Sequence, residues 1–402
     1  MKSWRANFTA LLLAEILAMI GFGIFSPVIP LFLEDDIGIK DPVKLKVWVG
    51  LINSSAAITM AIFAPIWGHL ADTFSRRAML LRALFGGAVA IAFMSLVNTP
   101  WQFLVLRSIQ GCLTGTVAAA TVLTASITPA AQIAFALGML QTGIAVGNTL
   151  GPLVGGVVAD FLGNRAAFFS TGLALALAGF IVLIWVKDDI RPSIDKKTKF
   201  SLLPDFRPIV SSPTLITMML VTLGMQAANT AATPMLPLFL KELARNISAE
   251  PAYIGSSTGI VLGVGTAFTA LAAVLVGKFS PRIGYWKTLF ICFAAGSIMT
   301  IPQTFVTSMI QLLILRALSS FFIGGTMPVI NAIIAVSSER KHQGTIYGVN
   351  ASVASTGAAL GPMIGSIAAM LDFRAMFSAS ALILGLSAIE IKRRAAKSGV
   401  KA

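Results

Sequence analysis

The sequence predicts an all-α membrane protein whose twelve transmembrane helices form two pseudo-symmetric halves of six helices each. Three observations lead to this prediction. Of the 402 residues, 56% are apolar and only 11% are charged, whereas roughly 25% of a soluble globular domain is charged. Apolar stretches long enough to cross a bilayer, which takes about 20 helical residues, follow one another along the chain. Short phrases of the first half also return in the second half.

Twelve apolar stretches are predicted to span the membrane. Those of the first half lie near 7–32, 47–70, 78–98, 101–125, 136–160 and 165–186. Those of the second half lie near 213–239, 252–276, 286–306, 308–336, 345–370 and 374–391. The first stretch follows a basic segment, as the core of a secretory signal does. It contains Glu15 and lacks a small-residue cleavage site, so we expect it to be retained as a helix.

The net charge of +14 is explained better by a bilayer than by nucleic acid. With the N-terminus in the cytoplasm, 21 of the 30 Lys and Arg residues fall in inner loops and tails and seven in outer loops, while Arg107 and Arg316 lie within helices. Basic residues accumulate in cytoplasmic loops. We therefore expect a multi-pass protein of the plasma (bacterial inner) membrane with both termini in the cytoplasm. We expect it to contact lipids and not nucleic acid, and to be a monomer.

The sequence gives no support for a metal site, a disulfide framework or direct use of ATP. Cys112 and Cys292 lie in apolar helices of different halves and are interpreted as packing residues. His69 and His342 fall at cytoplasmic loops with no second ligand nearby. The sequence has no GxxxxGK[ST] phosphate loop, and no nucleophile, base and orienting group recur at a spacing typical of an enzyme. We expect no cofactor, the proton gradient as the energy source, and no enzymatic activity.

An internal repeat relates the two halves. PVIPLFLEDD at 27–36 is answered by PMLPLFLKEL at 234–243, and Arg107 followed by Gly115 is answered by Arg316 followed by Gly324. Because six is an even number, both halves enter from the same side of the membrane, so they are parallel repeats. The predicted domains are two six-helix bundles at 1–186 and 213–402. A polar, basic, proline-containing linker at 187–212 joins them on the cytoplasmic side.

This plan resembles the major facilitator superfamily. GHLADTFSRR, which starts at Gly68, is similar to the family's signature in the cytoplasmic loop between helices 2 and 3. RSIQGCLTG from Arg107 is similar to its helix 4 signature, and GIAVGNTLGPLVGG from Gly143 to the helix 5 signature associated with exporters. WQFLVLR and LPLFLKELARNIS are similar to phrases of the drug:proton antiporters, especially the MdtG-like multidrug exporters. The resemblance implies the major facilitator fold and alternating access.

Glu15 is predicted to be the proton-coupling residue. It is the only one of the sixteen carboxylates that the predicted topology places deep in a helix, roughly 12 Å from its start. Burial disfavours the charged form, so the carboxyl group must face water, pair with a cation or bind a proton. Met19, Phe22 and Ser26 share its helical face and are predicted to line the substrate cavity. The alternative is that Glu15 only makes a hydrogen bond to a neighbouring helix.

Arg107 is the second proton-coupling candidate. A guanidinium group within the membrane keeps its charge and must find acceptors inside the protein. Gln110 and Thr114 lie on or near its face and are predicted to line the cavity. The resemblance implies a role in proton coupling, and a purely structural role is the alternative. Arg316, its repeat counterpart, has no acid nearby and is assigned, with Met327 on its face, to the substrate cavity or to packing.

Further polar and small residues are assigned to the cavity and to gating. Five uncharged polar residues are predicted to line the cavity, with interhelical hydrogen bonding as the alternative: Gln141, Asn148, Gln226, Thr230 and Thr233. The loop that contains Gly68, Asp72, Arg76 and Arg77 is predicted to act as a cytoplasmic latch. Glycines spaced by four, with a proline that bends the helix, are predicted to form the gate seam between the halves, with static packing as the alternative: Gly147, Gly151 and Gly155 with Pro152, repeated by Gly361 with Pro362.

The leading interpretation is a proton-coupled secondary exporter, an antiporter, of amphipathic, often cationic or neutral, drug-like molecules. An inward-moving proton at Glu15 would be exchanged for outgoing substrate by alternating access. One alternative is export of a specific native amphiphile such as a lysolipid, siderophore or metabolite. An importer of nutrients and a non-transporting membrane receptor on the same scaffold also remain open.

Overall fold

The computed structural model describes residues 4–73, 75–129, 132–187, 207–246, 253–338 and 343–397. Within these residues the chain is helical. The first half forms α1 Trp4–Phe25, α2 Ile29–Leu31, α3 Pro42–Thr73, α4 Arg76–Met94, α5 Pro100–Leu113, α6 Thr116–Ile127, α7 Ile133–Leu162 and α8 Asn164–Trp185. The second half forms α9 Arg207–Val210, α10 Pro213–Ala231, α11 Leu236–Asn246, α12 Ile254–Ile283, α13 Tyr285–Thr300, α14 Met309–Gly324, α15 Thr326–Ser337, α16 Gln343–Leu371 and α17 Ala375–Lys397.

The predicted number of membrane spans is confirmed. The described residues contain twelve helical segments long and apolar enough to cross a membrane. The differences are at segment ends: for example, the first span continues to Asp36 through a π-helical turn and the seventh continues to Arg245. Both continuations contain charged residues, so apolar character alone ended the predicted spans too early.

Polar caps and prolines fix several helix starts. The hydroxyl groups of Thr99 and Ser212 accept hydrogen bonds from backbone N–H groups of the first turns of α5 and α10. Pro100 and Pro213 follow directly, at a position where a missing N–H group costs no helical hydrogen bond. The linker predicted at 187–212 is described only at 187 and 207–212. There the Lys187 backbone and the Asn7 side chain exchange two hydrogen bonds, of 2.7 and 2.8 Å.

The fourth predicted span is broken in the middle. α5 ends at Leu113, and α6 begins at Thr116 after Gly115, whose φ of +127° favours glycine because it has no Cβ. The tenth span has a break at the equivalent place, between α14 and α15 at Gly325. The repeat therefore extends to an interruption of the same helix in each half.

The chain divides into two compact units. Unit 1 contains Met1–Lys40, Ser55–Phe200 and Pro251–Gly263, and unit 2 contains Asp41–Ser54, Ser201–Glu250 and Val264–Ala402. The first turns of α3 thus belong to unit 2, and the first turns of α12 belong to unit 1. Two helices contribute to both units, so the units are not identical with the two halves of the sequence.

In unit 1 the glycine ridge of α7 packs against α1. A Cβ atom at Gly147 would meet Met19, one at Gly151 would meet Gly23, and one at Gly155 would overlap the backbone of Ile24. The ridge was predicted to form the seam between the two halves. The structure corrects this placement, because α1 and α7 belong to the same half.

The second half repeats this packing within unit 2. A Cβ atom at Gly361 would overlap Thr230 of α10, and one at Gly365 would overlap the backbone of Ala231. Pro362 lies between the two glycines, inside α16. In each half, therefore, the glycines of the fifth helix allow close contact with the first helix.

A different face of α7 packs on the start of α12, also within unit 1. A Cβ atom at Gly255 would meet the Gly156 carbonyl group, and one at Gly259 would overlap the Pro152 carbonyl group. Gly156 was not assigned to gating in the sequence analysis. This contact joins a helix of the first half to a helix of the second, so it has the position that was predicted for the ridge.

On this face of α7, Asp160 binds the N-terminal end of α12. Its Oδ1 accepts a hydrogen bond of 2.9 Å from the backbone N–H group of Gly255, and its Oδ2 accepts one of 2.7 Å from that of Ser256. A carboxylate at a helix N-terminus satisfies free N–H groups and opposes the positive end of the helix dipole. Asp160 therefore holds α7 and α12 together.

Unit 2 has a contact of the opposite charge at the start of α3. Lys46 Nζ donates a hydrogen bond of 2.6 Å to the carbonyl oxygen of Ala369, in the last turn of α16, and lies 3.9 Å from the centre of the Phe373 ring. A cation is favourable at the C-terminal end of a helix. The hydroxyl group of Ser366 donates in return to the carbonyl oxygen of Lys46.

Alanine substitution should separate tightly packed glycines from free ones on the same helix. Gly155→Ala and Gly365→Ala are expected to lower the thermal unfolding midpoint, because overpacking costs about 1–3 kcal/mol. Gly138→Ala and Gly348→Ala are matched controls on α7 and α16, since a Cβ atom at either position meets no atom within 4 Å. Equal losses at all four positions, measured in detergent, would show that the ridge does not set helix packing.

Removing the charge of Asp160 should weaken the contact between α7 and α12. Asp160→Asn keeps one acceptor oxygen but loses the second bond and the charge, and hydrogen bonds to charged groups contribute about 1.5–3 kcal/mol. We expect a lower thermal unfolding midpoint in detergent. The control is Glu390→Gln, at a half-buried carboxylate that accepts no hydrogen bond from a described residue. An unchanged midpoint for Asp160→Asn would contradict this role.

Candidate functional site

Glu15 lies inside unit 1, against the break between α5 and α6. The residue is 1% exposed, so its carboxyl group is not in contact with lipid or bulk water in this conformation. The side chain of Thr116, the first residue of α6, lies next to the carboxyl group. Among the described residues the carboxyl oxygen Oε1 has no hydrogen-bond partner. A buried carboxyl group with one free oxygen is suited to binding a proton, because the neutral acid is easier to bury than the carboxylate.

A chain of polar side chains runs along α5 toward this break. The Arg107 guanidinium group donates to Gln110 Oε1, and Gln110 Nε2 donates to Thr114 Oγ1 at 3.1 Å. Thr114 precedes Gly115 at the break, and Thr116 follows it. Helical periodicity placed Arg107, Gln110 and Thr114 on or near one face, and the structure joins the three by hydrogen bonds.

Arg107 does not contact Glu15 in this conformation. Its guanidinium carbon lies 4.7 Å from the centre of the Phe25 ring, a cation–π contact. Phe25 is ten residues, about 15 Å, further along α1 than Glu15. Phe25 in turn lies 6.1 Å from Phe168, centre to centre. A relay from Glu15 to Arg107 would therefore have to pass through Thr116, Thr114 and Gln110, or to form in another conformation.

Arg107 faces away from the apolar surface of α5. Val105 and Ile109 are exposed on one side of this helix, where Ile109 lines an apolar groove with Phe85 and Val89 of α4. At 100° per residue, Arg107 lies on the opposite side of the helix. Its partial exposure is thus on the side away from the apolar groove, as expected for an arginine that contacts a water-filled space.

Unit 2 places Arg316 in a similar position on α14. Ile314 and Leu318 form the exposed apolar side of this helix, and Arg316 lies opposite them and is partly buried. Its Nη2 donates a hydrogen bond of 3.2 Å to Thr233 Oγ1. A Cβ atom at Gly265 would lie 3.7 Å from Arg316 Cγ. Arg316 and Thr233, both predicted for the cavity, are therefore brought together.

The two units differ where Glu15 would be repeated. Pro27 and Pro234 are 207 positions apart, and the residue 207 positions after Glu15 is Thr222 of α10. Thr222 is fully buried, and its hydroxyl group has no hydrogen-bond partner. The repeat therefore keeps the arginine and the broken helix but replaces the acid with a neutral residue.

The other residues predicted for the cavity divide into accessible and packed positions. Gln141 and Asn148 are exposed and lie opposite the exposed apolar residues Val146 and Leu150 of α7, as expected for a polar lining. Phe22, Ser26 and Gln226 are partly buried. Three residues are held in helix packing: Met19 against Gly147, Thr230 against Gly361, and Met327 against the apolar core of unit 2.

The predicted cytoplasmic latch is only partly described. The side chains at 68–73, which include Gly68 and Asp72, lie outside the part of the chain whose side chains the structure describes. Arg76 is partly buried at the first position of α4. Arg77 donates a hydrogen bond to the carbonyl oxygen of Leu183, in the last turn of α8. The pairing of Asp72 with these arginines stays a prediction.

Sequence reasoning missed Thr116, Phe25 and Asp160. Thr116 and Phe25 were not assigned because no periodic pattern links them to Glu15 or Arg107, although Thr116 directly follows the conspicuous Gly115. Asp160 was taken as a carboxylate near a helix end. What distinguishes Asp160 is its contact with the free N–H groups at the start of α12. The sequence around Asp160 in α7 does not reveal that contact.

No group of three or more His, Cys, Asp or Glu side chains among the described residues could hold a metal ion. The side chains described at this site offer hydrogen bonding, charge and proton binding.

The chain is similar to known transporters over almost its whole length. A family model described as the Major Facilitator Superfamily matches residues 11–307 and 255–399. Multidrug resistance protein MdtG of Enterobacter lignolyticus is 32% identical over 96% of this chain and 91% of that protein. MdtG of Salmonella heidelberg is 32% identical over 96% of this chain and 95% of that protein.

Solved structures agree in fold. The nucleoside transporter NupG has a TM-score of 0.78 at 13% identity and covers 98% of this chain and 100% of its own. A bacterial homologue of the human lysosomal transporter Spinster, inward-facing and occupied, has a TM-score of 0.80 at 15% identity, over 98% of this chain and 97% of its own. At such identities the likeness shows the fold alone. Together with the family match, the twelve spans and the MdtG relatives, it leads to one conclusion: the chain belongs to the Major Facilitator Superfamily and is a membrane transporter, not an enzyme.

Proposed function

We propose that this transporter is a proton-coupled exporter of amphipathic small molecules that works by alternating access. Its MdtG relatives are named multidrug resistance proteins, which supports export of drug-like compounds. The observation that carries the proton coupling is the buried carboxyl group of Glu15, which lies next to Thr116 and whose Oε1 has no partner among the described residues.

Proton binding at Glu15 would be linked to conformation by its burial. In the described conformation the residue is sealed from solvent, so the carboxyl group can exchange a proton only when the helices around it open. The neutral acid favours the sealed arrangement, because an unpaired carboxylate is costly in a dry site. A conformational change that exposes Glu15 to one side of the membrane would therefore let the proton leave on that side.

The break between α5 and α6 provides a place for this change. Gly115 joins the two helices with a backbone conformation that other residues rarely adopt, and Thr116 links the start of α6 to Glu15. A movement of α6 relative to α5 would carry Thr116 away from the carboxyl group. The polar chain from Arg107 to Thr114 would then offer acceptors and donors along the same helix.

Replacing Glu15 by Gln tests the proposal directly. Glu15→Gln keeps a side chain that can bond to Thr116 but cannot bind and release a proton. We expect loss of substrate-triggered proton release from purified protein, measured with a pH-sensitive dye across a panel of amphiphiles. We also expect loss of substrate transport driven by a pH gradient in proteoliposomes.

The control is Glu242→Gln, which removes an exposed carboxylate of α11. This variant should release protons as the unmodified protein does. Elution as a single folded species would show that Glu15→Gln remains intact. Proton release of unchanged size in Glu15→Gln would exclude this residue as the coupling site.

We further infer that the chain works as a monomer in a bacterial inner membrane, with both termini in the cytoplasm. The excess of basic residues in the predicted inner loops supports this orientation. In a variant without Cys112 and Cys292, a membrane-impermeant maleimide should label Glu242→Cys in intact cells. Lys392→Cys should be labelled only after the cells are made permeable, and the reverse pattern would invert the topology.

A further inference from the structure

Arg316 is a cation whose charge no described carboxylate neutralises. The guanidinium group makes one hydrogen bond, to the neutral hydroxyl group of Thr233. Arginine keeps its charge under all ordinary conditions and offers five N–H donors in a planar arrangement. A charge inside a membrane is costly unless it is paired or in contact with water. Most of the binding capacity of Arg316 is therefore unused in this structure.

The repeat explains why this charge stands alone. Unit 1 contains both the arginine of the motif, Arg107, and the acid Glu15. In unit 2 the equivalent arginine is kept, but the position of the acid is occupied by Thr222. Arg107 does not contact Glu15 either, but unit 2 lacks even a buried acid at the equivalent position, so the charge of Arg316 needs another source of negative charge. A solute that carries an anionic group can supply it.

The surroundings of Arg316 are formed by small and hydroxyl-bearing residues. The side chain lies opposite the exposed apolar side of α14 and is only partly buried. Its neighbours include Gly265, which has no side chain, and Ser320, whose hydroxyl oxygen would be 3.1 Å from a Cβ atom at Gly265. Thr233 adds a hydroxyl group on the other side. A guanidinium group with small, hydroxyl-bearing neighbours can bind a carboxylate, sulfonate or phosphate through two parallel hydrogen bonds.

We propose that Arg316, assisted by Thr233, binds an anionic group of the exported amphiphile, so that the preferred substrates are anionic. This inference rests on the proposed export function and specifies its substrate class. It differs from the cationic or neutral compounds expected from the sequence. Arg107 lies against the Phe25 ring and is bonded to Gln110, in the unit that contains Glu15, and it is not assigned this task.

Three ligands with the same ring system test the preference for charge. 1-Naphthaleneacetate is an anion, 1-naphthaleneacetamide is neutral and 2-(1-naphthyl)ethylammonium is a cation, and all three have a similar size. Equilibrium binding of each radiolabelled compound to the purified full chain is measured in detergent. We expect the anion to bind about tenfold or more tightly than the amide, as one charge-assisted contact allows. The cation should bind most weakly.

Variants then assign the preference to Arg316. Arg316→Gln should weaken binding of the anion by about tenfold or more and leave binding of the amide nearly unchanged. Arg316→Lys keeps the charge but not the planar pair of donors, so it should fall between the two. Arg245→Gln removes an exposed arginine of α11 in the same unit and should bind all three ligands as the unmodified protein does.

Several results would overturn this inference. The unmodified protein could bind the amide or the cation more tightly than the anion, or it could bind none of the three. Arg316→Gln could also lose the same binding affinity for all three ligands. The ranking in the unmodified protein needs no variant, so it decides even if Arg316→Gln does not fold. Substrate-triggered proton release across the wider panel judges the export function separately, since a cation exporter would still show it.

Discussion

The structure depends on one constraint: inside a membrane every backbone N–H and C=O group must find its partner within the protein. Helices satisfy this rule, so each place where a helix is interrupted needs a local solution. Pro362 has no N–H group, which leaves the carbonyl oxygen of Ala358 without its helical partner. The hydroxyl group of Thr230 lies 3.4 Å from that oxygen and also donates a shorter hydrogen bond, of 2.8 Å, to the carbonyl oxygen of Gln226. A threonine expected in the cavity thus lies beside the carbonyl group that the proline leaves without its helical partner.

The interruptions also mark where the site is built. Gly115 separates α5 from α6, and the new helix begins with Thr116, which lies next to Glu15. A continuous helix would have fixed Thr116 to the turns before it. The break removes Thr116 from the helical register of α5, and it places a hydroxyl group next to the buried acid. Backbone irregularity and a buried titratable group therefore occur together, as expected where binding and movement are coupled.

The sequence predicted the twelve spans and the repeat because both follow from composition along one chain. Periodicity also grouped Arg107 with Gln110 and Thr114, which share one face of one helix. It did not predict which helix that face meets. The ridge of Gly147, Gly151 and Gly155 was identified correctly as a close-packing surface but assigned to the wrong neighbour. Thr116 and Asp160 were missed for the same reason, since their partners are in other helices and depend on tertiary packing.

Duplication explains how one scaffold can carry two different tasks. Both halves keep the glycine ridge, the broken helix and an arginine, which together maintain the architecture. Only unit 1 keeps an acid, and Thr222 takes its place in unit 2. If protons bind at Glu15 and the anionic part of the substrate binds at Arg316, the two ligands occupy different units and need not touch. Their free energies would then be linked through the conformations that each stabilises, because a ligand shifts an equilibrium only by its difference in affinity for the two states.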